Sequence, residues 1–300
     1  MTASFRRIGH TPVAALAVIF AALFACSVSI AAESVPPAGQ RVFVCAHSFM
    51  IYTAKLLPPM AEAAGITHVN AGQQMIGGSR VIQHWDLPDA KNLAKAALRE
   101  GKVDVLTLSP NMLMPDPGID HFTKLGLEKK PALRVLVQAS WPTRDGTVGK
   151  SFTNETRNAA TVASLRAQRD AHGSSWLVNL EAHVRALNIT VGRTSVFLVP
   201  VSDAVFALRE RIAGDRAPGL TKQTDLFRDD LGHPHPPLAV LVTYCHFAAI
   251  YGRSPVGLPV PAPLKNQPQA EALNRLLQQL AWEAVTAHPL SGVRPIPTKS

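Results

Sequence analysis

The sequence predicts one α/β domain, a five-stranded parallel sheet covered by helices on both faces in an α/β/α sandwich. Two observations carry this. Short apolar runs without helical period alternate with helical stretches along most of the chain, the pattern left by βαβ units. Over 300 residues, 47% are hydrophobic and only 17% charged, ample for a sizeable core and too apolar for a disordered chain.

The first strand is read at Val42, Phe43, Val44 and Cys45, a continuous apolar run, and an amphipathic helix follows over about residues 51–64. A weaker strand, 66–69, leads into a loop from Asn70 to Arg80 that carries Gly77 and Gly78. Residues 91–100 place Leu93, Ala94, Ala97 and Leu98 at helical spacing, and Gly101 stops that helix. The third strand, 103–108, ends in Ser109-Pro110-Asn111-Met112, where proline takes the chain out of regular structure. A helix near 120–129 and a nearly pure apolar strand, 133–139, come next. Residues 143–153 read as a polar surface loop, 154–187 as a long polar helical stretch and 194–199 as the fifth strand. Ser202 and Asp203 are expected to cap a helix over 204–213. A loop from Thr224 to Pro237, rich in acids, histidines and prolines, opens a helix over 238–251. The last helix, 269–287, has Leu273, Leu276, Leu277 and Leu280 on one stripe. No internal repeat or low-complexity tract interrupts this order.

Residues 1–32 have the grammar of an export signal: Arg6 and Arg7, an apolar run from Val13 to Phe24, then small residues up to Ala31 and Ala32. Two variants stand beside cleavage. Leu23-Phe24-Ala25-Cys26 resembles a lipoprotein box, and residues 12–32 are long enough to anchor the chain uncleaved in a bilayer. Residues 33–40 then form a linker, 41–290 the domain and 291–300 a tail. The protein is thus expected outside the cytoplasm, periplasmic or secreted. Past the leader the chain carries 28 basic and 21 acidic side chains, a net +7, with 6% aromatics overall and no basic cluster interleaved with them. That charge suits solubility and mild attraction to anions, and argues against a nucleic-acid site. Cys45 and Cys245, the two cysteines beyond Cys26, read as buried apolar residues, since two do not make a disulfide framework.

Ser48 falls where the first strand turns into the first helix, a junction that exposes a side chain and aims free N–H groups at whatever it attacks. A serine there is also an ordinary helix cap. Acyl transfer by serine needs a base, an acid to orient the base, and rigid donors for the developing oxyanion. The glycines after the second strand, Asn111 after the third, and Asp230 with His233 after the fifth all lie at one edge of a parallel sheet.

The order Ser, Gly, Asn and then Asp-x-x-His resembles the SGNH hydrolases, also called GDSL-like lipases and esterases. The resemblance covers about residues 42–260, and its most specific piece is Asp230-Leu-Gly-His233-Pro234 followed by an Ala/Leu-rich helix. It implies a flavodoxin-like fold with Ser48 as nucleophile, His233 as general base and then acid, and Asp230 as the carboxylate orienting the imidazole. It also implies an oxyanion hole of the Ser48 N–H, the Gly78 N–H and the Asn111 amide, with Gly77 as alternate and Gly72 a third choice. The chain departs from the family at two blocks. Gly-Asp-Ser-Leu reads Ala46-His47-Ser48-Phe49 here, and Gly-x-Asn-Asp reads Ser109-Pro110-Asn111-Met112. A divergent subfamily with Gly-Asn-Ser-Phe or Gly-His-Ser-Phe resembles this nucleophile block more closely.

Each residue also has a plainer reading. Asp230 could cap the following helix, His233 could be a solvated loop histidine, and Asn111 a turn former beside Pro110. Gly77 and Gly78 could serve positive φ alone. His233 and His235, with His246 and Asp229, make too weak a pattern for a metal site, so no metal or other cofactor is expected. His84-Trp85-Asp86 is read as packing, with a cleft or sugar subsite as the alternative. The resemblance implies a cofactor-free serine esterase whose substrate is a small-molecule or carbohydrate ester, with O-acetyl groups on carbohydrate as the expected target. The other readings are a catalytically weak relative that binds glycans or an envelope partner, and a metal-dependent phosphoryl or sulfuryl ester hydrolase.

Overall fold

The computed structural model describes residues 1–2, 39–147 and 151–294. The expected leader from residue 3 on, most of the linker, and the tail from residue 295 on lie outside the described residues. Internal contacts divide the chain into Met1–Ser34 and Val35–Ser300, and the regular elements of the described residues belong to the second unit.

Five parallel strands make the sheet: β1 (Gln40–Ala46), β2 (His68–Met75), β3 (Val105–Leu108), β4 (Arg134–Gln138) and β5 (Val196–Val199). Their order is β2-β1-β3-β4-β5, so the chain steps outward once and then reverses across β1. In open α/β sheets the crevice beyond the strands' carboxyl ends at such a reversal is the usual ligand site. Here the reversal lies between β1 and β3. Cys45 pairs with Leu108 and Ala46 with Met75, so β1, β2 and β3 end level with one another.

Side chains alternate across the sheet as the pleat requires. Val42, Val44, Ala46, Val105, Leu136 and Val199 face a core shared with helices α1 (Thr53–Ala63), α7 (Val201–Ala213), α8 (Pro236–Tyr251) and α9 (Ala270–Ala287). Phe43, Cys45, Leu106, Leu108, Val135 and Val137 face the opposite core, built with α2 (Val81–Trp85), α3 (Leu93–Arg99), α4 (Pro117–Lys129) and α6 (Val178–Thr190). Helix α8 is apolar all round and buried from Leu238 to Tyr251 except Ala239, as expected of a helix enclosed on every side. Cys45 and Cys245 are buried free thiols in opposite cores.

Several expectations shift. The second strand runs on to Met75, with a bulge at Ala71 and Gly72, instead of ending before Asn70. β2 is an edge strand whose Asn70 and Gln73 face outward, so it lacks the apolar run that marks inner strands. Gly72 is required by this bulge: its φ is +126° and a Cβ there would lie 2.7 Å from the Phe43 ring. Ser202 and Asp203 lie inside α7, which starts at Val201, because the Ser202 N–H is already taken by the Ala139 carbonyl and Asp203 pairs with Arg169. The stretch read as one long polar helix is broken into a 3-10 turn (Asn154–Ala159), α5 (Val162–His172), a π turn (Gly173–Leu177) and α6. Nor is 143–153 simply a surface loop, for Asp145 and Phe152 turn inward.

Candidate active site

Ser48 does not cap a helix. The N–H groups of Met50 and Ile51 both donate to the His47 carbonyl, closing a tight turn, and α1 begins only at Thr53. The half-buried Ser48 hydroxyl instead reaches His233, with Oγ 2.8 Å from Nε2. On the far side of the ring, Nδ1 lies 2.6 Å from Oδ2 of Asp229. An ionised carboxylate can only accept, so Nδ1 carries the proton and Nε2 presents a lone pair to the serine hydroxyl. Burial works to raise the Asp229 pKa, but hydrogen bonds from the His233 N–H and ring, the His233 charge and the Gly232 N–H outweigh it and hold the carboxyl below its ordinary value.

The carboxylate at His233 is therefore Asp229, and the expectation for Asp230 is corrected. Asp230 turns away and accepts the Asn154 N–H at 2.7 Å. The cause lies in the turn. Asp229 Oδ1 takes the N–H groups of Gly232 and His233, which curls its side chain inside the loop, and Gly232 sits at φ +98° to let the chain close on itself. Neighbouring side chains diverge, so Asp230 ends outside.

Aromatic and cationic side chains fix this loop. The Phe49 ring meets the His233 ring edge-on at 5.3 Å and stacks flat on Trp141 at 4.6 Å, while Trp141 Nε1 donates to the Gly232 carbonyl. Arg157, fully buried, donates to the carbonyls of Asp229 and Asp230 at 2.9 and 2.8 Å. None of Asp229, Trp141, Asn154 or Arg157 was among the expected site residues. Only Asp229 had a visible signal, as the second carboxylate beside Asp230.

Two of the residues expected at the oxyanion hole, Gly78 and Asn111, are in direct contact. Asn111 Nδ2 donates to the Gly78 carbonyl at 2.7 Å, linking the loops after β3 and β2 across the end of β1. That bond uses one of the two amide hydrogens and leaves the other. Gly78 has φ +62°, a conformation suited to glycine, whereas Gly77 has ordinary φ. Among the described residues no acceptor takes the N–H of Ser48 or of Gly78.

His47 is buried just behind Ser48. Its Nδ1 accepts the Phe49 N–H, which leaves the ring proton on Nε2, 2.8 Å from Ser109 Oγ. Trp85 proves to be packing: it stacks on His121 at 5.0 Å, carries Lys95 Nζ 4.3 Å over its ring and meets the ring of Phe122 edge-on. Among the described residues there is no group of three or more His, Cys, Asp or Glu that could hold a metal ion.

Burial lowers His47 to about 4, opposed by the Pro110 carbonyl and aided by the His233 charge. It also lowers His84 to about 4, with a smaller contribution from His47, and His246 to about 3. In the unfolded chain each ring titrates near 6.5, so below that pH the unfolded state takes up protons that the fold refuses. Their stabilisation is full above about pH 6.5 and is lost as pH falls toward 4, on the order of 3 kcal/mol for each ring. The melting temperature followed by circular dichroism should fall steeply across that window; a flat profile between pH 7 and 4.5 would contradict neutral burial.

No protein-family model matches the chain, and no curated protein matches it. Among solved structures it is similar to the crystal structure of a DUF4886 family protein from Bacteroides uniformis, with a TM-score of 0.52 over 83% of this chain and 95% of that one. Sequence identity is 15%. The likeness shows the fold. That fold is the α/β arrangement described above, and its five-stranded parallel sheet is compatible with the SGNH type.

Proposed function

We propose that the protein is a serine hydrolase of the SGNH type that cleaves esters through an acyl-Ser48 intermediate. The observation that carries this is the continuous chain from Ser48 Oγ to His233 Nε2 and from His233 Nδ1 to Asp229 Oδ2, at 2.8 and 2.6 Å. Ser48 Oγ attacks the ester carbonyl carbon while His233 Nε2 takes its proton. Asp229 keeps the imidazole in the needed tautomer and stabilises the imidazolium. The tetrahedral oxyanion is received by the Ser48 and Gly78 N–H groups and the remaining Asn111 amide hydrogen. His233 then protonates the departing alcohol, and a water activated by the same ring hydrolyses the acyl-serine.

The substrate class proposed is an acetyl ester on carbohydrate, which follows the resemblance to exported esterases. With it goes a location beyond the cytoplasmic membrane, on the strength of the leader-like residues 1–32. Ser48→Ala is expected to lower p-nitrophenyl acetate turnover by at least about 10^3-fold without changing the melting temperature. Turnover retained in that variant would refute the mechanism. Release of acetate from acetylated xylo-oligosaccharides, measured by the same pair of proteins, tests the substrate class.

A further inference from the structure

We infer that His47 and His84 are positioning residues, each a neutral bridge that holds one wall of the oxyanion site, so that Asn111 and Gly78 are preset before an ester arrives. The inference rests on the hydrolase reading above and extends it to residues outside the Ser48, His233 and Asp229 chain.

The first wall is the segment after β3. His47 accepts the Phe49 N–H at Nδ1 with 3.2 Å between them, and at Nε2 it donates to Ser109 Oγ at 2.8 Å with the Pro110 carbonyl at 3.4 Å. One rigid ring thus ties the nucleophile's turn to the two residues preceding Asn111. The second wall is the turn after β2. His84, on α2, accepts from Gln74 Nε2 at Nδ1 and donates at Nε2 to Ser79 Oγ at 2.8 Å. The Ser79 hydroxyl in turn donates to the Ile76 carbonyl at 3.0 Å, so the relay closes the turn on both sides of Gly77 and Gly78. Asp116 holds the same segment from outside, accepting the N–H groups of Val81 and Ile82 at 2.7 and 2.9 Å. The Asn111 to Gly78 bond joins the two walls.

Both bridges use one ring nitrogen as acceptor and the other as donor, which only a neutral imidazole offers. A protonated ring would set an N–H against the Phe49 N–H or the Gln74 amide. The residues are almost wholly buried, at 6% and 1% exposure, and burial holds each ring neutral. Oxyanion donors act by being fixed in advance, so looseness in the braces should cost rate and leave ground-state binding alone.

The test is steady-state kinetics on p-nitrophenyl acetate with the whole protein and four variants. His47→Asn keeps an acceptor for the Phe49 N–H, as in an Asx turn, but cannot reach Ser109. Ser109→Ala removes the other end of that bridge, and Ser79→Ala breaks the His84 relay; both are small deletions that the fold should tolerate. Each single variant is expected to lose ten- to a hundredfold in kcat with KM within twofold, and the double variant of His47→Asn with Ser109→Ala should be no worse than the poorer single. A kcat within twofold of wild type, a change confined to KM, or losses that multiply in full would overturn the inference. Should the wild type itself show no turnover, the hydrolase reading fails, and the bracing is then judged by NMR. The Asn111 side-chain amide resonances should move in His47→Asn and in Ser109→Ala; resonances left unmoved in both would overturn it too.

Discussion

Asp229→Asn should lower kcat on p-nitrophenyl acetate by about 10^3 to 10^4-fold, while Asp230→Asn should cost less than about tenfold. The contrast follows from which side chain meets the imidazole. With Asn at 229 the ring no longer faces a pure acceptor, so it is free to carry its proton on Nε2. A proton there opposes the Ser48 hydroxyl and removes the base. The Asn154 N–H that Asp230 accepts can also be accepted by an asparagine carbonyl, so that contact survives the substitution. Steady-state kinetics of the two variants with melting curves alongside checks the pair. Equal losses, or the larger loss at 230, would contradict the assignment of Asp229.

Asp145→Ala should destabilise the fold by about 3–5 kcal/mol. Asp145 lies between two buried guanidinium groups, Arg157 at 3.0 Å and Arg209 at 2.5 Å, and is itself nearly buried. Removing the carboxylate leaves both cations without it in a site that water does not reach, which costs far more than an exposed pair would. The Arg157 guanidinium also lies over the rings of Phe152 and Phe227, at 4.7 and 4.6 Å, and through its bonds to the Asp229 and Asp230 carbonyls it anchors the His233 loop. The loss should therefore reach the site as well as the core. Urea denaturation should show a lower midpoint at unchanged slope; a shift worth under about 0.5 kcal/mol would contradict the pairing seen here.

Much of this arrangement was legible in the sequence because it follows from local rules. The inner strand from Val42 to Cys45 is apolar on both faces, as a parallel sheet needs, and Val135, Leu136 and Val137 make the centre of β4 equally apolar between Arg134 and Gln138. The position of Ser48 at the strand-to-helix turn, and of Asn111 past Pro110, followed from those strand ends. What escaped was set by pairing across the fold. β2 is a strand because β1 offers it partners, not because Asn70, Gln73 and Gln74 favour one. The choice between Asp229 and Asp230 turned on how Gly232 lets the loop curl, and a spacing of three residues counts only sequence. Asp145 and Arg157 are charged residues in polar stretches, and nothing local marks them as buried. His47 and Ser109 both depart from the pattern of the resembled family, and the two side chains are bonded to each other, a pairing that no local spacing reveals.

The most direct test of Ser48 as an activated nucleophile is covalent capture by a fluorophosphonate probe, read by intact mass and peptide mapping. One adduct per chain is expected, on Ser48, absent in Ser48→Ala and slowed at least about 10^3-fold in Asp229→Asn. A wild-type protein that takes up no probe, or takes it up elsewhere, would show that Ser48, His233 and Asp229 form a hydrogen-bonded turn and not an acyl-transfer site.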